Sequence, residues 1–238
     1  MSTLSSLKVK IFADGADKRG MLEMYRDPLI KGFTTNPTLM RKAGIKNYET
    51  FARDILSEIK DRPISFEVFS DEFPEMERQA RKIASWGENI YVKIPITNTQ
   101  NKPSIDVIRN LVHSGIKLNV TAMMTVNQAL EVSQVLKGGT RACISIFAGR
   151  IADTGRDPII TMKQTLDILK AYPNIELIWA SPRELLNIFQ ANEIGCHIIT
   201  VTNDIFKKLS LFGKNLDEYS LETVKMFYSD AQKAGYNL

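Results

Sequence analysis

Cysteine and histidine are scarce in this chain of 238 residues. The two cysteines, Cys143 and Cys196, form no CxxC pair and sit in apolar surroundings. A disulfide framework and a thiolate metal site are therefore excluded, and both thiols read as reduced core groups of a cytoplasmic protein. The two histidines, His113 and His197, stand outside any HExxH motif. A three-histidine zinc site fails by count, and a Ser–His pair requires one of the two to face a cleft. Blocks of like charge are missing as well. The 31 Lys+Arg and 27 Asp+Glu residues leave a net charge of +4 dispersed along the chain. Neither nucleic acid nor a membrane surface is expected as a partner. No stretch reaches the roughly 18 apolar residues of a spanning helix, and MSTLSSLKVK lacks the apolar core of a leader. What remains is ordinary globular composition, 44% hydrophobic and 24% charged, sized for one large core spanning residues 1–238.

Short apolar runs alternate with longer helix-like segments. The expected strands are Lys8–Asp14, Gly32–Asn36, Ile64–Phe69, Ile90–Pro95, Lys117–Ala122, Ala142–Phe147, Glu176–Ser181 and His197–Val201. Each start lies 21 to 34 residues after the previous one, the length of one βα unit. Between them, Pro74, Pro103-Ser104 and Asp157-Pro158 open segments with apolar residues at helical spacing. Eight such units predict an α/β fold, a (β/α)8 TIM barrel. The alternative is an open doubly wound sheet, but the GxGxxG that many such sheets carry after the first strand is absent. A further amphipathic helix, 216–234, has Leu216, Leu221, Val224, Phe227, Tyr228 and Ala231 at helical spacing. It is expected to pack on its own barrel or on a neighbouring subunit.

Strands buried on both faces should read as Val, Ile and Leu. Here eight polar residues break that rule: Asp14, Asn36, Glu67, Lys93, Asn119, Thr121, Ser145 and Ser181. All lie in the later half or at the end of their strands, which in a barrel is the catalytic mouth. Lys93, between Val92 and Ile94, is the sharpest. As a structural residue it would snorkel to the rim or pair with Glu67. As a desolvated amine it would attack a carbonyl and form a Schiff base, chemistry that needs no metal and no cofactor. Glu67 and Asp14 are the acid–base groups for it, with Thr121 able to hold a water. Arg150 and Arg183 follow the sixth and seventh strands, where barrels commonly bind phosphate. Ser181-Pro182-Arg183 reads as a helix start, whose N–H groups would assist.

The segments around these residues resemble the transaldolase family over nearly the whole chain. The matching stretches are FADGAD, FTTNPTL, SFEVF, IYVKIPIT, LNVTAMMT, SIFAGRIAD and ASPRE. The resemblance implies a class I, Schiff-base barrel in which Lys93 binds a donor ketose, sedoheptulose 7-phosphate or fructose 6-phosphate. It implies that Asp14 handles the hydroxyl proton and that Glu67 with Thr121 positions the catalytic water. Asn36, Asn119 and Ser145 would hold the dihydroxyacetone unit, with Thr35 and Phe147 in the same pocket. Arg150, Ser181 and Arg183 would hold the phosphate. The short length resembles a branch that also contains fructose 6-phosphate aldolases and assembles as pentamers or decamers, the C-terminal helix reaching a neighbour. Aldolase-type members carry Gln at the position of Glu67 and Tyr at that of Phe147, so the transferase reading is favoured over the lyase. A non-catalytic phosphosugar-binding barrel is the third reading. Gly15, Phe33 and the long segment 98–103 depart from the family pattern and open the substrate to a specialised sugar pathway.

Overall fold

The computed structural model describes residues 4–238. Eight parallel strands close into a barrel in sequence order: β1 (Lys10–Asp14), β2 (Ile30–Thr34), β3 (Ile64–Glu67), β4 (Ile90–Pro95), β5 (Leu118–Met123), β6 (Ala142–Ile146), β7 (Ile175–Trp179) and β8 (Ile198–Val201). The barrel expectation holds. Between the strands run α1 (Lys18–Tyr25), α2 (Pro37–Lys42), α3 (Tyr48–Glu58), α4 (Phe73–Ala84), α5 (Ile105–His113) and α6 (Val126–Leu136). They are followed by α7 (Ala148–Asp153), α8 (Pro158–Leu169), α9 (Leu186–Glu193) and α10 (Asn203–Lys207).

Local chemistry fixes where these elements begin. Asp17, Asn36, Asn47, Thr125 and Asp157 each accept a backbone N–H from the first turn of the following helix, satisfying donors with no intrahelical partner. In α4 the buried residues Met76, Ala80 and Ile83 form one stripe, as the spacing after Pro74 predicts. Along β4, Ile90, Val92 and Ile94 are buried and share one face, so Tyr91, Lys93 and Pro95 share the other. The interior is packed. Phe12 joins Cys143, Ile178, Ala180 and Ile198 in a buried cluster. Gly32 makes room for it, since a Cβ there would stand 2.5 Å from the Phe12 ring. Burial pushes both thiols up, that of Cys196 to about 12.

β2, β6 and β7 end earlier than expected, which moves the candidates Asn36, Phe147 and Ser181 out of the sheet. β2 stops at Thr34 because Pro37 starts α2 and the Asn36 side chain caps it. β7 stops at Trp179, and Ser181 lies beyond it with a left-handed φ of 60°. β5 is irregular after Val120, where Ala122 also has a positive φ, 64°. His197 Nδ1 accepts the Leu177 N–H at 3.0 Å, and His113 sits exposed at the end of α5.

Residues 207–238 form a second compact unit. Its helix, α11 (Leu216–Ala234), has the expected bounds, with Asn215 accepting the amides of Asp217 and Glu218 and Gly235 ending it at φ 68°. Leu216, Leu221, Val224, Phe227 and Tyr228 are all more than half exposed.

Candidate active site

The strand register assembles a row. Glu67 pairs with Lys93, Lys93 with Asn119, and Pro95 with Thr121. Lys93 is 6% exposed. Its Nζ lies 3.3 Å from Glu67 Oε2 and donates to the Thr35 carbonyl at 3.2 Å. Asp14 belongs to the same group. Burial pushes its carboxyl up, while the Lys93 charge and a hydrogen bond from Thr34 (2.7 Å) pull it down, and the net direction is upward. Glu67 is also raised, by burial first; Lys93 opposes this and the Asp14 charge adds to it. Two carboxyls near one amine in a poorly hydrated site resist being ionised together. The arrangement can therefore store and return a proton beside a reactive nitrogen.

Behind this group a second chain of hydrogen bonds fixes an amide. Ser145 Oγ donates to Asn119 Oδ1 at 2.8 Å, and Asn119 Nδ2 donates to Ser65 Oγ at 3.0 Å. Thr121 is 1% exposed and its hydroxyl has no protein partner among the described residues, a costly state for a buried polar group. Thr35 is buried, its hydroxyl donating to the Ser65 carbonyl at 3.0 Å. Asn36 spends its side-chain oxygen on the Leu39 amide at 2.9 Å.

The arginine end is built from α7 and the loop after β7. The Arg150 guanidinium lies 5.5 Å from the centre of the Phe147 ring. Arg183 Nε donates to Asp153 Oδ1 at 3.0 Å, and its Nη2 donates to Asp153 Oδ2. A Cβ on Gly149 would stand 1.6 Å from the Ser181 carbonyl oxygen, so only glycine allows this approach. The expectation of free N–H groups at Ser181-Pro182-Arg183 is corrected. The helix begins later, at Leu186, and Asn187 Oδ1 already accepts the amides of Arg183 and Glu184 at 2.8 and 3.2 Å. The long segment after β4 is a tight turn closed by the bridge between Thr97 and Pro103. It is pinned to Asp71, which accepts the Thr99 amide and hydroxyl, each at 2.7 Å. A cavity of about 320 Å³, lined in part by Lys10, Tyr91, Cys143 and Glu176, opens elsewhere, at the other end of the strands.

The family model described as transaldolase/fructose-6-phosphate aldolase matches residues 11–238. The chain belongs to this family. A probable transaldolase 2 of Listeria monocytogenes is 36% identical over 202 residues, covering 84% of this chain and 88% of the relative. A probable transaldolase of Dehalococcoides mccartyi is 33% identical over 202 residues, covering 84% and 90%. Among solved structures, a flavocytochrome b2 variant with sulfite bound is similar with TM-score 0.58 at 11% identity, over 93% of this chain and 64% of that one. A 2,3-dimethylmalate lyase is similar with TM-score 0.56 at 13% identity, over 98% and 86%. Those two share the fold alone, and their unlike chemistries show how little a barrel says about reaction.

Within this transaldolase/aldolase-family barrel, several contacts escape sequence reasoning. Ser65 and Thr200 carry the same signal as the residues singled out, a hydroxyl in a buried strand, and were legible in principle. Thr34, rather than its neighbours Thr35 and Asn36, touches Asp14, and it shares a short hydrogen bond with Thr200. Tyr48 on α3 donates to the Glu67 carbonyl at 2.7 Å, and burial together with the Glu67 charge pushes its hydroxyl up. Nothing in the spacing of α3 marks it.

Proposed function

We propose that this family member is a Schiff-base transaldolase that moves a dihydroxyacetone unit from a ketose phosphate to an aldose phosphate. The observation that carries the reading is the buried Lys93 amine, 3.3 Å from Glu67 and within the electrostatic reach of Asp14. Lys93 Nζ as free base adds to the ketose carbonyl, and loss of water from the adduct leaves an iminium. Asp14 takes the proton of the hydroxyl next to the scissile bond as that C–C bond breaks and the first aldose phosphate departs. The electron pair moves to the iminium and gives an enamine on Lys93. An incoming aldehyde takes the enamine carbon, Asp14 returns the proton to the new hydroxyl, and water releases the product ketose. Glu67 and Thr121 serve the water steps: a carboxyl with a raised pKa can hold the proton that water gives up, and the Thr121 hydroxyl can orient that water. Asn119, fixed by Ser145 and Ser65, with Asn36, Thr35 and Phe147, positions the three-carbon unit. Arg150, Arg183 and Ser181 receive the phosphate. Copies of the chain are expected to associate through the exposed apolar side of α11.

Borohydride reduction in the presence of fructose 6-phosphate tests the reading. The expected result is a covalent adduct on Lys93 in peptide mass spectra, none in Lys93→Ala, and transfer that requires an acceptor aldehyde. Unchanged turnover in Lys93→Ala overturns the mechanism. Rapid release of free dihydroxyacetone without acceptor assigns the lyase reaction instead.

A further inference from the structure

Arg183 and Arg150 reach the arginine end from different elements, and one carboxylate serves both. Asp153 and Arg150 are three residues apart on α7 and so lie on neighbouring positions of one helix face. Asp153 accepts from Nε and Nη2 of Arg183, and its carboxyl is held below the usual range by Arg183 first and by the charge of Arg150 in addition. The surrounding backbone is already locked. Gly149 rests against the Ser181 carbonyl, and Asn187 holds the amides of Arg183 and Glu184. The half-exposed Arg183 side chain is the part left to be fixed.

We propose that Asp153 is a positioning residue for phosphate recognition: it holds the Arg183 guanidinium beside Arg150 so that the remaining N–H edge faces an incoming phosphate. A guanidinium has five N–H donors in a planar fork. Two are spent on Asp153, which leaves three in a fixed plane for a phosphate ester. Asp153 also supplies the negative charge that keeps two like-charged forks close together while no phosphate is bound. This rests on the assignment of Arg150 and Arg183 to phosphate made above.

Steady-state kinetics of Asp153→Asn and Asp153→Ala test it, with fructose 6-phosphate and with unphosphorylated fructose as donors, and inorganic phosphate as competitive inhibitor. The pair is half exposed, so the expected effect is a rise in KM for the phosphorylated donor of roughly 3- to 10-fold. The inhibition constant for phosphate should rise in parallel, kcat should stay within about twofold, and the unphosphorylated donor should be little affected. In an Arg183→Ala background the Asp153 substitution should add no further rise in KM. Three outcomes overturn the inference. A KM that falls or stays level while Arg183→Ala raises it would make Asp153 a competitor of the phosphate or a bystander. Equal loss for both donors with a lower Tm would make it structural. If Arg183→Ala itself leaves the preference for phosphorylated donors intact, the phosphate assignment fails and takes the inference with it.

Discussion

Gly149→Ala is the most discriminating substitution in this barrel outside the reactive group. The added Cβ would meet the Ser181 carbonyl oxygen at 1.6 Å and its carbon at 2.7 Å, against the 3.0 Å below which real Cβ contacts essentially never occur. The gap must open by at least 1.4 Å, and the atoms in the way are backbone. Neither side gives easily. Gly149 lies in α7 directly after β6, and Ser181 follows β7 in a strained left-handed conformation. Overpacking of this kind costs about 1–3 kcal/mol or more. For a protein of this size each kcal/mol lowers Tm by roughly 2–4 °C. The displacement also separates Arg150 from Ser181 and Arg183, and misplacements of about 1 Å can cost on the order of 100-fold in rate. Thermal unfolding and donor kinetics should show a lower Tm and a KM for fructose 6-phosphate raised at least tenfold, with borohydride trapping on Lys93 retained at saturating donor. Gly15→Ala is the control: nothing lies within 4 Å of its Cβ, so Tm should hold or rise. A Gly149→Ala protein with wild-type Tm and KM would refute the packing argument and the proposed geometry of the arginine end together.

Two further outcomes follow from the reactive group. Thr121→Val removes a buried hydroxyl that has no protein partner among the described residues, so denaturant unfolding should show stability unchanged or slightly raised. Turnover should fall by about tenfold or more if that hydroxyl orients the catalytic water; unchanged turnover removes Thr121 from the mechanism. Asp14 has a folded-state pKa above its ordinary 3.8, so the native state binds more protons than the unfolded chain between that value and the raised one. Its contribution is therefore present at low pH and lost as pH rises through the folded value. Asp14→Asn should accordingly stabilise the protein more at pH 8 than at pH 4 while abolishing transfer, and a gain independent of pH would contradict the burial of that carboxyl.

Sequence periodicity located all eight strands with ends correct to within two residues, because each is a short apolar run set between longer helix-like segments. Polar residues inside those runs led to Lys93, Glu67, Asn119, Thr121 and Ser145, since little but a site justifies a buried polar row. What the pattern could not supply was pairing across the barrel. Thr34 and Thr200 read as strand formers, and the contacts of Thr34 with Thr200 and with Asp14 depend on β1 closing between β2 and β8. Asp153 reads as an ordinary helix-end carboxylate. That it meets Arg183, thirty residues on, follows from β6 and β7 being neighbours. The helix expected at Ser181 begins at Leu186 because the Asn187 side chain closes the intervening turn, a contact no propensity encodes.

The packed interior around Phe12 has a consequence for traffic. That ring fills the space over Gly32 and packs on Cys143, Ile178, Ala180 and Ile198, while the candidate site lies at the C-terminal strand ends. In the proposed two-step transfer, with both aldehydes passing these strand ends, the first would leave by the route the second enters while the three-carbon fragment stays on Lys93. Departure of the first aldehyde before entry of the second predicts ping-pong kinetics. Excess of either aldose phosphate should obstruct the donor that the free enzyme needs. Under the proposed reaction, a shared doorway would make turnover sensitive to the ratio of the two aldehydes as well as to their amounts.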